Sequence, residues 1–142
     1  MSTYISVELR QLLEISDDGQ CVYCQTNEYN SGQALTTDHC IPTAKGGETT
    51  ISNCCRACRR CNEFKRDQTH TIDPLTGETV PLYHPRQHRW SEHFTWDQHG
   101  TRLLGLTPIG RATIVALDMN NELIVFARQR WVNAGWHPPS LS

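Results

Sequence analysis

The sequence predicts an α+β fold, a small strand–strand–helix core followed by a C-terminal extension of short strands and two helices. Three observations carry this expectation. Two Cys-x-x-Cys pairs, Cys21/Cys24 and Cys58/Cys61, are separated by 33 residues. Between them, two short extended stretches flank the Gly46-Gly47 dipeptide and lead into a helix-compatible run at Cys58. Beyond Asp67 the texture changes to turn signals and short apolar pieces, closing with two helical patterns. The expected division is residues 1–70 for the core and 71–142 for an extension packed on it. A chain of 142 residues with 37% apolar content suits one compact domain, or a small core with an extension.

Each element has its local reason. Residues 6–16 read as an amphipathic helix with Ser6 as N-cap, Leu9, Leu12 and Leu13 on one face, and "SDDG" as the stop. "CVYC" is a tight knuckle and "QTNEYNSGQ" a loop. Residues 34–41 form a first strand that ends near Pro42, and a second extended piece falls at residues 50–53. "CRRCNEFKRD" lacks Gly, Pro and β-branched residues, which suits a short helix. In the extension, "DPLTGE" is a turn, "TVPLYHP", "HFTW" and residues 101–106 are strand pieces, and Thr107 with Pro108 opens a helix. The last helix spans residues 122–134, stopped by Gly135. Trp90, Phe94 and Trp96 are expected to pack a sheet against these two helices.

The N-terminal "MSTYISVELRQ" has neither the basic start nor the apolar stretch of a signal peptide, and no apolar run approaches the roughly 20 residues that span a bilayer. This predicts a soluble, cytoplasmic protein with no membrane partner. The net charge of −2 argues against a generic nucleic-acid-coating protein. The average conceals an asymmetry, however. Residues 1–50 carry seven acids against two bases, whereas residues 53–66 carry Arg56, Arg59, Arg60, Lys65 and Arg66 against Glu63 alone. Such a basic stretch is either the footprint of a phosphate partner or a solvated helix face.

Two cysteine knuckles brought together by the intervening loop present four soft thiolates in a closed tetrahedron, the donor set of a structural Zn²⁺. The competing readings are thioredoxin-type redox pairs, which need a βαβ setting that the pattern lacks, or four buried free thiols. Cys40, Cys54 and Cys55 are left over and read as small core residues. A closed zinc site does not catalyse, so it leaves His39, Asn53 and Asn62 without an explanation.

Those residues complete a pattern. Cys21/Cys24 is followed by Asp38-His39, Pro42, Gly46-Gly47, Asn53, and Cys58/Cys61 with Asn62 and Lys65 after it. In order and content this resembles the HNH endonuclease family with its ββα-metal fold, across about a third of the chain. The resemblance implies a metal-dependent DNA endonuclease. Histidine titrates near neutrality and can take a proton from water, so His39 is the candidate general base. Asp38 and Asn62 offer hard oxygen ligands for a divalent Mg²⁺ or Mn²⁺ at the scissile phosphate. By the same resemblance Asn53 braces the loop that orients His39; otherwise it is a plain turn asparagine. Arg59, Arg60, Lys65 and Arg66 are candidate DNA-backbone contacts, which position without specifying sequence. The family often has a histidine where this chain has Asn62, which bears on the preferred ion.

The extension, through "LYHPR", "W-x-x-HF-x-W" and "GLTPIGRATI", is similar to the tail of small stand-alone bacterial HNH proteins, and no chemistry follows from that. His84, His88, His93, His99 and His137 are irregularly spaced and read as packing or surface residues. Two rival functions stand beside a nuclease. A zinc-stapled binding module without activity is opposed by the intact Asp38, His39 and Asn62; a thiol redox or metal sensor leaves the Asp-His-Asn arrangement unexplained.

Overall fold

The computed structural model describes residues 4–140 and shows a mixture of short two-stranded sheets and helices, an α+β fold. The chain packs as two compact units that alternate along the sequence. The first runs to Thr69 and takes in His84–Arg89; the second comprises His70–Tyr83 and the chain from Trp90 onward.

In the first unit, α1 (Val7–Asp17) starts at Ser6, whose side chain accepts from the Leu9 amide. Only Leu13 of this helix is fully buried; Leu12, expected on the packed face, is 54% exposed. The stretch read as a loop contains one helical turn, α2 (Glu28–Ser31), because Asn27 caps it and Gly32 ends it in a left-handed conformation. Strand β1 (Thr36–His39) pairs antiparallel with β2 (Cys54–Ala57), with Asp38 opposite Cys55 and His39 opposite Cys54. The second strand therefore lies four residues later than the expected 50–53. Residues 50–53 instead form a turn, in which the Asn53 and Cys54 amides donate to the Thr50 carbonyl. Helix α3 (Arg59–Lys65) follows, with Cys58 as its N-cap. The core of this unit is built largely from cysteines: Cys21, Cys24, Cys40, Cys54, Cys55 and Cys61 are buried with Leu13, Tyr23, Leu35 and Ala57.

Arg86 is the means by which His84–Arg89 joins this unit. Its guanidinium forms a two-pronged pair with Asp17 at 2.9 Å on both arms, and Nε donates to the Cys54 carbonyl at 3.0 Å. Asp17 closes α1 and Cys54 opens β2, so one side chain ties helix to strand.

The second unit has two hairpins. Strands β3 (His70–Ile72) and β4 (Thr79–Pro81) flank the "DPLTGE" turn. Asp73 organises that turn by accepting from the Leu75 amide and the Thr76 hydroxyl, and it pairs with Arg111 at 2.9 and 2.8 Å. A short helix, α4 (Trp90–His93), precedes β5 (Phe94–Trp96), which pairs with β6 (Leu103–Gly105). Helix α5 (Pro108–Ala116) has Thr107 as N-cap and Pro108 at its start, as expected. Gly110 allows it to approach closely, since a Cβ there would strike the His93 carbonyl. Helix α6 (Glu122–Asn133) starts from Asn121 and buries Arg128 and Trp131. Trp90 lies in α4 rather than in a sheet, its ring 5.3 Å from Phe94 and 6.2 Å from Trp96. Among the described residues no helix is long and apolar enough to cross a membrane.

Candidate active site

The knuckle at Cys21 turns back on itself. The Gln25 amide donates to the Cys21 carbonyl and the Cys21 amide to the Thr26 carbonyl, with Gln25 at φ 63°. This aims Cys21 and Cys24 at Cys58 and Cys61 from the start of α3, and the four Sγ atoms all lie within 4.8 Å of one another. A zinc tetrahedron with Zn–S of about 2.3 Å has S···S edges of about 3.8 Å, so these residues fit a metal such as zinc. Burial and the neighbouring sulfurs push the Cys21 thiol well up, and hydrogen bonds from the other three sulfurs together with burial do the same to Cys61. A dication among the sulfurs would supply a field that reverses this and holds them as thiolates. Among the described residues these four cysteines are the one grouping of three or more His, Cys, Asp or Glu side chains suited to a metal. Cys40 and Cys55 lie apart from them with sulfurs 3.8 Å from each other, in the core as expected.

Strand β1 carries the next layer. Successive side chains leave a strand on opposite faces, so Thr36 and Asp38 turn toward α3 while Thr37 and His39 turn the other way. His39 is half-buried, and its Nε2 lies 3.0 Å from Thr49 Oγ1. On the α3 side, Asn62 Nδ2 donates to Thr36 Oγ1 at 2.9 Å, and one turn later Lys65 reaches Asp38. The Asp38 carboxylate, 5% exposed, accepts from the Tyr23 hydroxyl at 2.7 Å and lies 3.3 and 3.2 Å from Lys65 Nζ. Lys65 also donates to the His39 carbonyl at 3.0 Å.

Asn53 spans the loop after β1 with its whole carboxamide. Oδ1 accepts from the Ile41 amide, and Nδ2 donates to the Ile41 and Glu48 carbonyls, all at 2.8–2.9 Å. Gly47 has no room for a side chain, because a Cβ would collide with the Ile41 carbonyl and press on Asn53.

Lys65 corrects an expectation. It was read as a DNA-backbone contact, yet it is 1% exposed and spends its charge on Asp38. A buried ammonium needs a partner, and the helical repeat turns position 65 inward while leaving Arg59, Arg60 and Arg66 exposed. Of these, Arg60 lies over the Phe64 ring at 4.8 Å and Arg59 makes a solvent-exposed pair with Glu63 at 3.7 Å. Asp38, read as an ion ligand, is already satisfied by a hydroxyl and an ammonium.

The model of the HNH endonuclease family matches residues 21–74, the segment holding both cysteine pairs, Asp38-His39, Asn53 and Asn62. That segment, 54 of the chain's 142 residues, is similar to the HNH endonuclease family. No curated protein matches the chain. The match points to a nuclease-type function acting on nucleic acid. One residue of the matched segment escaped the sequence reading. Tyr23, between two cysteines of the knuckle, extends its hydroxyl to Asp38 and so joins the cysteine site to the strand carrying His39. His84, expected as a packing or surface residue, packs in the same unit, its Nδ1 accepting from the Arg86 amide while its own amide donates to His88 Nδ1. Burial lowers the pKa of His84, aided by His88, Lys65 and Arg86. The spacing of Tyr23 carries no signal, since its partner Asp38 lies 15 residues away.

Proposed function

We propose that the HNH segment hydrolyses phosphodiester bonds in DNA, with His39 as the general base that takes a proton from the attacking water. The observation that carries this reading is the placement of His39 at the end of β1, held from behind by the Lys65 bond to its carbonyl and facing Thr49 across the Asn53-braced loop. A base does its work only when its approach is fixed to a fraction of an ångström, and these bonds fix both the strand and the loop. Thr49 orients the imidazole, Asn53 holds the loop, and the four cysteines fasten α3 so that Asn62 lies against β1.

Asp38 and Asn62 would hold a divalent Mg²⁺ or Mn²⁺, which supplies charge neutralisation at the scissile phosphate and at the departing oxygen. The four cysteines would hold zinc in a purely structural capacity. Arg59, Arg60 and Arg66 lie exposed on or next to α3 and would contact the DNA backbone, giving affinity that falls with salt.

A supercoiled-plasmid relaxation assay tests the reading. Purified protein with millimolar Mg²⁺ or Mn²⁺ should nick or linearise the plasmid, and excess EDTA should stop it. Binding without cleavage in every ion would instead make the chain a zinc-stapled binding module.

A further inference from the structure

Lys65 Nζ is enclosed by three oxygens, both of Asp38 and the carbonyl of His39, at 3.3, 3.2 and 3.0 Å, and the residue is 1% exposed. Two carboxylate oxygens and a main-chain carbonyl are the donor set a hard divalent cation takes. Asn62, one helical turn earlier on the same face of α3, lies against Thr36, two residues before Asp38 on the same strand face. The cation position of this seam is thus filled by a side chain of the protein itself.

We propose that Lys65 is a built-in occupant of the ion site, so that the divalent ion and the Lys65 ammonium compete for Asp38. This inference rests on the nuclease reading above. A buried ammonium and a dication cannot share one carboxylate, because their repulsion at about 4 Å in a partly buried site is several-fold that in water. Entry of the ion therefore requires Lys65 to leave its oxygens and move toward solvent. Tyr23 donates its hydroxyl to Asp38 at 2.7 Å, a bond that would hold the carboxylate in place during the exchange. The consequence is weak ion binding in the absence of substrate. In that state Lys65 also prevents Asp38 from standing as an uncompensated buried charge.

The sequence supplies a direct test, because the chain has two lysines, Lys65 and the exposed Lys45. Zinc-loaded full-length protein without DNA is treated with an amine-acetylating reagent across a Mn²⁺ series, and acetylation at each lysine is read by mass spectrometry. The account expects Lys65 to be protected without added Mn²⁺ and to become at least about tenfold more reactive as Mn²⁺ rises, with Lys45 unchanged. In parallel, Mn²⁺ affinity is measured from the free-ion electron paramagnetic resonance signal for the wild type and Lys65→Gln. The variant should bind at least about tenfold more tightly once the competing charge is removed. Lys65 that stays protected at every Mn²⁺ concentration overturns the proposal, whatever the plasmid assay returns. Should Lys65→Gln fail to fold, the wild-type labelling decides alone. Plasmid cleavage by a protein whose Lys65 never moves would leave the nuclease reading intact and remove this one.

Discussion

Replacing Arg86 with alanine removes four bonds at once, two to the Asp17 carboxylate at 2.9 Å, one to the Cys54 carbonyl at 3.0 Å and a long one to the Ser16 hydroxyl at 3.4 Å. The Asp17 side chain is 3% exposed and that of Arg86 17%, so the pair is closer to buried than to superficial. Removing one partner of a buried pair costs about 3–5 kcal/mol, and an exposed pair contributes at most about 1 kcal/mol. Two features moderate the loss here. Arg86 keeps some solvent, and Asp17 retains the Arg56 amide at 2.8 Å as a second donor. Against that, the Cys54 carbonyl loses its guanidinium partner in a residue that is fully buried, which costs about 1–3 kcal/mol. The expected destabilisation is about 3 kcal/mol, a large part of the 5–15 kcal/mol typical of a folded domain. Urea unfolding at fixed zinc concentration measures it. With a slope of about 1–3 kcal/mol per molar urea, the midpoint should fall by more than about 1 M. Arg86→Lys should recover only part, because an ammonium cannot reproduce the fork. The Asp17→Asn/Arg86→Ala double variant should show a coupling above about 1 kcal/mol. A midpoint shift worth less than about 0.5 kcal/mol for Arg86→Ala would refute the view that this side chain fastens α1 to β2.

Two further outcomes follow from the structure. Freshly purified protein should contain about one zinc per chain by elemental analysis, and Cys24→Ser should lose zinc and unfold, since structural zinc contributes about 10–16 kcal/mol in small zinc domains; folded protein without metal would contradict this. The Arg111 guanidinium beside Asp73 holds that carboxyl well below the usual carboxylate range. A carboxyl depressed in the folded state stabilises fully above its unfolded pKa of about 3.9 and loses that contribution as pH falls toward the folded value. Stability should therefore decline below about pH 4, and Asp73→Asn should flatten that decline in acid-unfolding curves; identical slopes would remove Asp73 from the account.

What the sequence made legible was local. Ser6 and Thr107-Pro108 mark helix starts by chemistry confined to a few residues, and the Cys-x-x-Cys spacing encodes its own geometry. Residues whose partners lie far along the chain were misread or missed. Lys65 appeared to be a surface base because its partner is 27 residues away, and Arg86 had no signal because Asp17 lies 69 residues before it. The second strand was placed too early because "CCRA" has little β-propensity. Its position is set by pairing with β1 and by the Asn53 carboxamide, which holds the preceding loop closed. Strand β3, three residues long, is too brief for a periodic signal, whereas β4 falls within the expected piece "TVPLYHP". Within the site, the residue types at positions 38, 39, 53 and 62 were readable, whereas the inward turn of Asp38 required the alternation of β1 against α3.

The central claim is that His39 activates water at a phosphodiester. Its most direct measurement is the plasmid cleavage rate of His39→Ala beside the wild type, with DNA affinity and zinc content determined on the same preparations. The account predicts a rate lower by about 10²–10⁴ with affinity within a few-fold and zinc unchanged, because a general base acts on water and contributes little to binding. Cleavage at the wild-type rate, or a parallel loss of cleavage, affinity and zinc, would contradict it.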